Sequence, residues 1–143
     1  MITNINVTKA KLDVTSIRQA AKDPGAGAVV VFEGCTRDTH DNRLVKVLAY
    51  EAFAPMAELE LERIRQEAIN MYNLDKCLIH HRLGEVPILE TALVVACSAT
   101  HRREALDATT WIIDQIKEHV PIWKCEKYVD GANAWVEGDS RQH

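Results

Sequence analysis

The order of apolar patterns along the chain constrains the fold more than any other feature. Three segments space their apolar residues as helices do, at 13–22, 55–72 and 102–119. Each is followed by two extended apolar segments, which we predict to be strands at 27–36, 44–51, 76–83, 92–99, 122–129 and 134–137. A parallel sheet would need strict alternation of strand and helix. The observed order instead predicts a mixed α+β domain with antiparallel strands and two long helices.

Capping residues and prolines mark the ends of the predicted helices. Asp13 can cap the first helix, Pro55 suits the first turn of the second, and Pro121 ends the third. Helical spacing predicts that the two long helices bury these side chains: Met56, Leu59, Ile64, Ala68 and Met71 in the second, and Leu106, Thr110, Ile113 and Ile116 in the third.

The strand segments carry signals for burial and for turns. The unbroken apolar run from Ala28 to Phe32 is typical of a strand buried on both faces. We predict that this strand pairs with the one at 44–51 across a polar loop, residues 37–43. Asp130-Gly131, between two extended segments, predicts a hairpin.

Composition and charge narrow the classes of function. A chain of 143 residues is predicted to form one domain, residues 1–143. The formal net charge of −4 disfavours a general nucleic-acid binder. No apolar run is long enough to span a membrane and the first residues lack a secretory signal, so we expect a cytoplasmic protein. There the cysteines are expected to be reduced thiols: Cys35, Cys77, Cys97 and Cys125.

A basic turn is the first candidate site. The segment Ser98-Ala99-Thr100-His101-Arg102-Arg103 joins a strand to the third helix. With Thr100 as N-cap, three cations fall in the first helical turn, where acidic residues are usually preferred. Cations beside free backbone N–H groups would suit a phosphate. The alternative is a solvated basic turn, and spacing alone favours neither.

Three further cations lie at or near the ends of predicted elements. Lys117 lies one turn after Ile113, and Lys124 lies on a strand that turns back past the helix end. Such lysines could act as acid, base or nucleophile, although two surface lysines with extended stems are the simpler interpretation. Arg37 directly follows the first long strand, where it could bind phosphate or carboxylate or be an ordinary loop arginine.

The adjacent histidines His80 and His81 are predicted to be structural. On a strand, neighbouring side chains point to opposite faces, so these two do not form a metal-binding pair. No other spacing in the sequence indicates a metal site, a phosphate loop or a Ser-His-Asp set.

A set of short motifs occurs in the order found in one family. They are Phe32-Glu33-Gly34-Cys35-Thr36-Arg37, Tyr50-Glu51-Ala52, Met56-Ala57, His81-Arg82-Leu83-Gly84, Ser98-Ala99-Thr100-His101-Arg102, Ile113-Asp114, Ile116-Lys117 and Val120-Pro121-Ile122-Trp123-Lys124. Over about residues 27–137 the chain resembles the large, catalytic subunit of molybdopterin synthase. Each motif alone is weak, whereas the ordered set is specific.

The resemblance implies a fold, a partner and a reaction. It implies an α/β-hammerhead fold and a homodimer, in which each subunit holds one small ubiquitin-like sulfur carrier to give a heterotetramer. The carrier's C-terminal Gly-Gly bears a thiocarboxylate and enters a pocket of the large subunit. Sulfur then passes to cyclic pyranopterin monophosphate, and two transfers make the dithiolene of molybdopterin. No metal or bound cofactor is implied.

The resemblance also assigns roles to the flagged residues. Lys117 and Lys124 match the family's two essential lysines and are predicted to be catalytic. The predicted substrate-binding set is Arg37, His101, Arg102, Lys117, Lys124, Cys125 and Glu126.

Two departures from the family pattern change part of this assignment. Cys125 stands where a basic residue is common, so we expect that the chemistry does not need it. Asp139 stands where some members have an arginine that reaches the partner subunit's pocket, and Arg141 follows two residues later. Residues 138–143 are predicted to form a flexible tail.

Two other classes of function remain open at the level of sequence. A non-catalytic adaptor would bind a ubiquitin-like partner or a phosphorylated metabolite without using Lys117 or Lys124. A persulfide sulfurtransferase would use Cys35 or Cys125, although neither thiol lies in a motif beyond nearby cations.

Overall fold

The computed structural model describes residues 1–136. Residues 137–143 lie outside the described part, and with them the predicted tail and the question of Asp139 and Arg141. The elements in chain order are β1 (Ile5–Thr8), α1 (Val14–Ala21), β2 (Ala28–Cys35), β3 (Thr39–His40), β4 (Arg43–Ala52), α2 (Ala54–Tyr72), β5 (Lys76–Arg82), β6 (Gly84–Pro87), β7 (Thr91–Ala99), α3 (Arg102–His119), β8 (Ile122–Tyr128) and β9 (Asn133–Val136).

The strands form two sheets. The first has the order β1-β5-β7-β2, in which β1 runs parallel to β5 and the other pairs are antiparallel. The second has the order β3-β4-β8-β9 with antiparallel pairs, and β6 pairs with β4 beside β3. The predicted α+β class, with antiparallel strands and two long helices, is confirmed.

Helices cover both faces of the first sheet. One face packs against α2 and α3 through residues such as Leu61, Ile64 and Ile112, while Ile17 and Ala21 of α1 cover the other. Because both faces are covered, β7 reads as a nearly continuous apolar run rather than an alternating one, and the interior residues of β5 are buried on both faces. Each large side chain buried in this core stabilises the fold by about 1.5–3 kcal/mol.

The predicted helices form, but the predicted buried faces of the long helices are partly wrong. α3 has the predicted bounds, and Asp13 caps α1 by accepting the Ser16 backbone N–H at 3.1 Å. Small side chains instead bring α2 and α3 close to the sheet: Ala57, Ala68, Ala105 and Ala108. Several residues predicted to be buried are therefore exposed, namely Met56, Leu59, Met71, Leu106 and Thr110.

The predicted pairing of the first two long strands is also wrong. β2 pairs with β7, whereas β4 belongs to the second sheet. The prediction was that β2 is buried on both faces. It is instead an edge strand, and most of its side chains are half-buried. Three short strands are additional to the prediction (β1, β3 and β6), and none is long enough to show a period in sequence. The hairpin of β8 and β9 around Asp130-Gly131 is confirmed.

All four cysteines are free thiols, as predicted. Cys77, Cys97 and Cys125 are buried, and Cys35 is exposed. No helix in residues 1–136 combines the length and apolar character needed to cross a membrane.

Candidate active site

A cavity of about 670 Å³ opens where the two sheets meet the end of α3. Strands β4 and β8 of the second sheet supply one wall. On these paired strands the lining residues Tyr50 and Lys124 lie opposite each other, as do Leu48 and Glu126. The full lining is Phe32, Gly34, Cys35, Arg37, Thr39, His40, Asp41, Val45, Leu48, Tyr50, His81, Ala92, Leu93, Ile116, Lys117, Val120, Ile122, Lys124, Glu126 and Val136.

A tight connection brings Lys117 and Lys124 to the same cavity. Lys117 lies in the last turn of α3, where a cation suits the helix dipole. The helix ends at Val120, whose N–H donates to the Ile116 carbonyl at 3.1 Å, and Pro121 prevents its continuation. The chain then reverses into β8, so that the half-buried Lys124 faces back into the cavity.

Arg37 reaches the cavity from the end of β2. A register shift between Gly34 and Cys35 interrupts the pairing with β7, as expected of a glycine at a bulge. Beyond it, the buried Thr36 hydroxyl donates to the Val86 carbonyl at 3.0 Å, which fixes the strand end. Arg37 follows as an exposed residue in the cavity lining. Of the predicted site residues, Arg37, Lys117 and Lys124 therefore line one cavity within a single chain.

The same cavity contains acidic and histidine side chains. Glu126 lies two residues after Lys124 on the same face of β8, and Asp41 follows His40 at the end of β3. His81 faces the cavity from β5, with its ring edge-on to Tyr50 at 5.1 Å between centroids. The cavity thus combines three cations with two carboxylates, which suits a ligand that is anionic at one end and carries N–H donors at another.

His101 and Arg102 are not among the residues that line this cavity. His101, rather than the predicted Thr100, is the N-cap of α3, and its side chain makes no capping bond. Arg102 and Lys117 sit near opposite ends of α3, about 22 Å apart along its axis. Within one chain the basic helix start and the cavity are therefore separate.

Cys125 is also turned away from the cavity. Side chains alternate along β8, so Cys125 lies on the face opposite Lys124 and Glu126, and it is buried. Cys35, by contrast, is exposed in the cavity lining.

Two histidines of the cavity were not predicted as functional from the sequence. His81 was expected to be structural, and His40 lies in the segment expected to be an irregular loop. A signal for His40 does exist, because the adjacent Asp41-Asn42 pair tolerates the left-handed backbone of a tight hairpin.

Burial of His81 makes stability depend on pH. Burial lowers the pKa of His81 from 6.5 to about 4, against the opposing effect of its Nδ1–H donating to the Arg82 carbonyl at 2.8 Å. Between these two pH values the unfolded chain binds a proton that the folded chain excludes, so stability falls as pH drops from neutrality. We expect His81 to contribute a loss of roughly 2 kcal/mol in unfolding free energy between pH 7 and pH 5.

Urea unfolding of wild type and His81→Asn at both pH values measures this contribution. The asparagine does not titrate, yet its Nδ2–H can replace the Nδ1 donor to the Arg82 carbonyl. Burial also lowers the pKa of His80, but that group is present in both proteins and cancels. Equal pH dependence of the two proteins would show that His81 does not titrate in this range.

The fold and cavity define a class of protein: a mixed α+β domain with a cationic pocket built for an anionic ligand. Within residues 1–136, no group of three or more His, Cys, Asp or Glu side chains is placed to hold a metal ion.

Comparisons with known proteins agree with this class. A family model described as MoaE protein matches residues 7–119. The molybdopterin synthase catalytic subunit of Emericella nidulans is 39% identical over 138 residues, 96% of this chain and 71% of the relative. The molybdopterin synthase catalytic subunit of Pyrococcus abyssi is 45% identical over 113 residues, 79% of this chain and 76% of the relative.

Solved structures resemble the chain as well. Molybdopterin synthase from Staphylococcus aureus matches with a TM-score of 0.89 at 33% identity, over 95% of this chain and 98% of that one. A complex of subunits 1 and 2 of molybdopterin-converting factor from Helicobacter pylori matches with a TM-score of 0.76, over 99% of this chain and 94% of that one. At 21% identity this second likeness shows the fold alone. The chain belongs to the MoaE family, whose curated relatives are catalytic subunits of molybdopterin synthase, sulfurtransferases of molybdenum cofactor biosynthesis.

Proposed function

We propose that the chain transfers sulfur from the C-terminal thiocarboxylate of a small ubiquitin-like carrier to cyclic pyranopterin monophosphate. The observation that carries this proposal is the convergence of Arg37, Lys117 and Lys124 on one cavity. Both reactants are anions, and several cations in one pocket would offset their mutual repulsion. A Gly-Gly end has no side chains, so it can enter between the two sheets as a narrow strand.

The lysines have separate roles in this proposal. Lys117 lies beside the thiocarboxyl carbon, and Lys124 lies beside the reacting carbon of the substrate or its phosphate. The thiocarboxylate sulfur attacks the substrate carbon, the C–O bond at that carbon breaks, and its oxygen leaves as water or phosphate after taking a proton from a lysine ammonium. An acyl–sulfur link then joins carrier and pterin. Water cleaves the acyl–sulfur bond, so the sulfur stays on the pterin and the carrier leaves as a carboxylate. A lysine ammonium would give the leaving oxygen its proton, and the resulting amine would take a proton back from the water that cleaves the acyl–sulfur bond.

A second copy of the chain would complete the pocket. His101 and Arg102 are predicted to hold the substrate phosphate, yet they lie about 22 Å along α3 from Lys117 in the same chain. In a two-fold homodimer, the basic helix start of one subunit would meet the cavity of the other. Two carriers bound to such a dimer give a heterotetramer. The curated relatives are named catalytic subunits, which supports a further subunit as partner.

The fate of the carrier tests the proposal and separates it from an adaptor. We expect the chain to convert thiocarboxylated carrier to the carboxylate form only when the pyranopterin is present, as followed by mass spectrometry of the intact carrier. An adaptor would bind the carrier and leave the thiocarboxylate intact.

Substitution of a cysteine tests the remaining alternative. Cys35 is the one cysteine that lines the described cavity, so a persulfide mechanism would depend on it. We expect Cys35→Ser to retain the conversion, because the sulfur comes from the carrier. Loss of conversion in this variant would favour the persulfide mechanism.

A further inference from the structure

The polar segment after Arg37 forms a tight hairpin over the cavity. β3 and β4 pair at His40 and Arg43, and the turn between them has positive φ at Asp41 (50°) and Asn42 (63°). Asp and Asn are the non-glycine residues that adopt this conformation most readily, and two such residues suit a two-residue hairpin turn. The turn therefore sets where the His40 ring points.

The His40 ring contacts a buried carboxylate of the cavity wall. Its Nδ1–H donates to Glu126 Oε1 at 2.8 Å, and the Tyr128 hydroxyl donates to the same oxygen at 2.6 Å. Glu126 is only 4% exposed. A buried carboxylate needs such donors, because its desolvation is otherwise costly. This arrangement also raises the pKa of Tyr128, since its hydroxyl proton is held by Glu126.

A second contact fixes the hairpin on β8. The Arg43 guanidinium lies 3.6 Å above the Tyr128 ring and contacts the Asp130 carboxylate at 3.1 Å. The two paired residues of the hairpin, His40 and Arg43, thus both hold the end of β8 that carries Glu126. His40 lies on β3 of the hairpin and is 86 positions away from Glu126 in sequence. The contact between them therefore depends on the hairpin being formed.

We propose that His40 is a positioning residue that holds the Glu126 carboxylate as an acceptor for the N–H edge of the bound pterin. His40 acts through Glu126. Both protein donors bind Oε1, so the lone pairs of Oε2 are the ones that can accept N–H groups from an aminopyrimidinone edge. Cations would hold the anionic groups of the substrate while Glu126 fixes its ring. This inference rests on the proposed function.

Two substitutions of similar size distinguish hydrogen bonding from bulk. In His40→Asn the amide nitrogen lies near the position that Nδ1 occupied and can still donate to Glu126. In His40→Gln the amide nitrogen lies nearer to the position of Nε2, which does not contact Glu126. We expect His40→Asn to stay within about threefold of the wild-type KM for the pyranopterin, and His40→Gln to raise it about tenfold, with little change in kcat. In a Glu126→Gln background the two His40 variants should not differ.

The outcomes separate this inference from the proposed function. Circular dichroism and melting of each variant establish that it is folded before its KM is compared. Equal KM values for the Asn and Gln variants, or a difference that persists in the Glu126→Gln background, would overturn the role of His40 while leaving sulfur transfer intact. Absence of product from the wild-type chain with carrier and pyranopterin would instead refute the proposed function.

Discussion

Lys117→Ala is expected to abolish dithiolene formation while leaving the fold and carrier binding intact. The side chain is exposed in the last turn of α3 and lines the cavity, so its removal leaves no buried void. Loss of a group that transfers a proton and stabilises developing charge should lower the rate roughly 10²–10⁴-fold. Product formation under single turnover, together with carrier binding by calorimetry, measures both parts of this expectation.

Lys127 provides a matched control for the lysines of the cavity. It lies on β8 three residues after Lys124 but on the opposite face, where it contacts Glu85 at 2.8 Å. An exposed ion pair adds little to stability, so Lys127→Ala should retain activity. Normal turnover by Lys117→Ala, or equal losses in the Lys117 and Lys127 variants, would remove Lys117 from the mechanism.

Activity is expected to return when two inactive variants share one dimer. In the proposed assembly a pocket takes Lys117 from one chain and the pair His101 and Arg102 from the other. A mixed dimer of Lys117→Ala with the double variant His101→Ala, Arg102→Ala would contain one complete pocket. Random mixing should therefore restore about a quarter of the wild-type sites, since half of the dimers are mixed and each has one working site of two.

The mixing experiment needs conditions in which the phosphate contacts matter. Loss of His101 and Arg102 should mainly weaken substrate binding. The pyranopterin concentration is therefore kept well below the wild-type KM, so that weaker binding lowers the measured rate. Co-expression with two different tags isolates the mixed dimer from both parents. Activity no greater than that of the parents would mean that the basic helix start and the cavity do not act together across subunits.

Local signals in the sequence predicted most of the elements but not all of their partners. The bounds of α3 followed from its apolar spacing and Pro121, and the β8–β9 hairpin followed from Asp130-Gly131. The pairing of β2 with β7 rather than β4 could not be read locally, because it joins segments more than 50 residues apart. The buried faces of α2 and α3 were only partly predicted. Ile64, Ala68 and Ile116 are buried as expected, but alanines also face the sheet and four larger predicted residues are exposed.

The candidate site was predictable to a different extent at each residue. Arg37 follows the end of β2, Lys117 lies in the last turn of α3 and Lys124 lies near the start of β8, and the ordered motifs indicated one family for all three. The structure places all three at one cavity. His101 and Arg102 also stood out, but the structure places them away from that cavity. No local pattern indicates the second chain that the proposal requires. The contact of His40 with Glu126 depends on tertiary structure, so spacing could not reveal it.

Reconstitution of the reaction tests the central claim most directly. The purified chain is mixed with thiocarboxylated carrier and cyclic pyranopterin monophosphate, and the dithiolene is detected by fluorescence after oxidation. We predict product with the wild-type chain and none with Lys117→Ala or Lys124→Ala. Absence of product from the folded wild-type chain with bound carrier, or undiminished product from both lysine variants, would contradict the account.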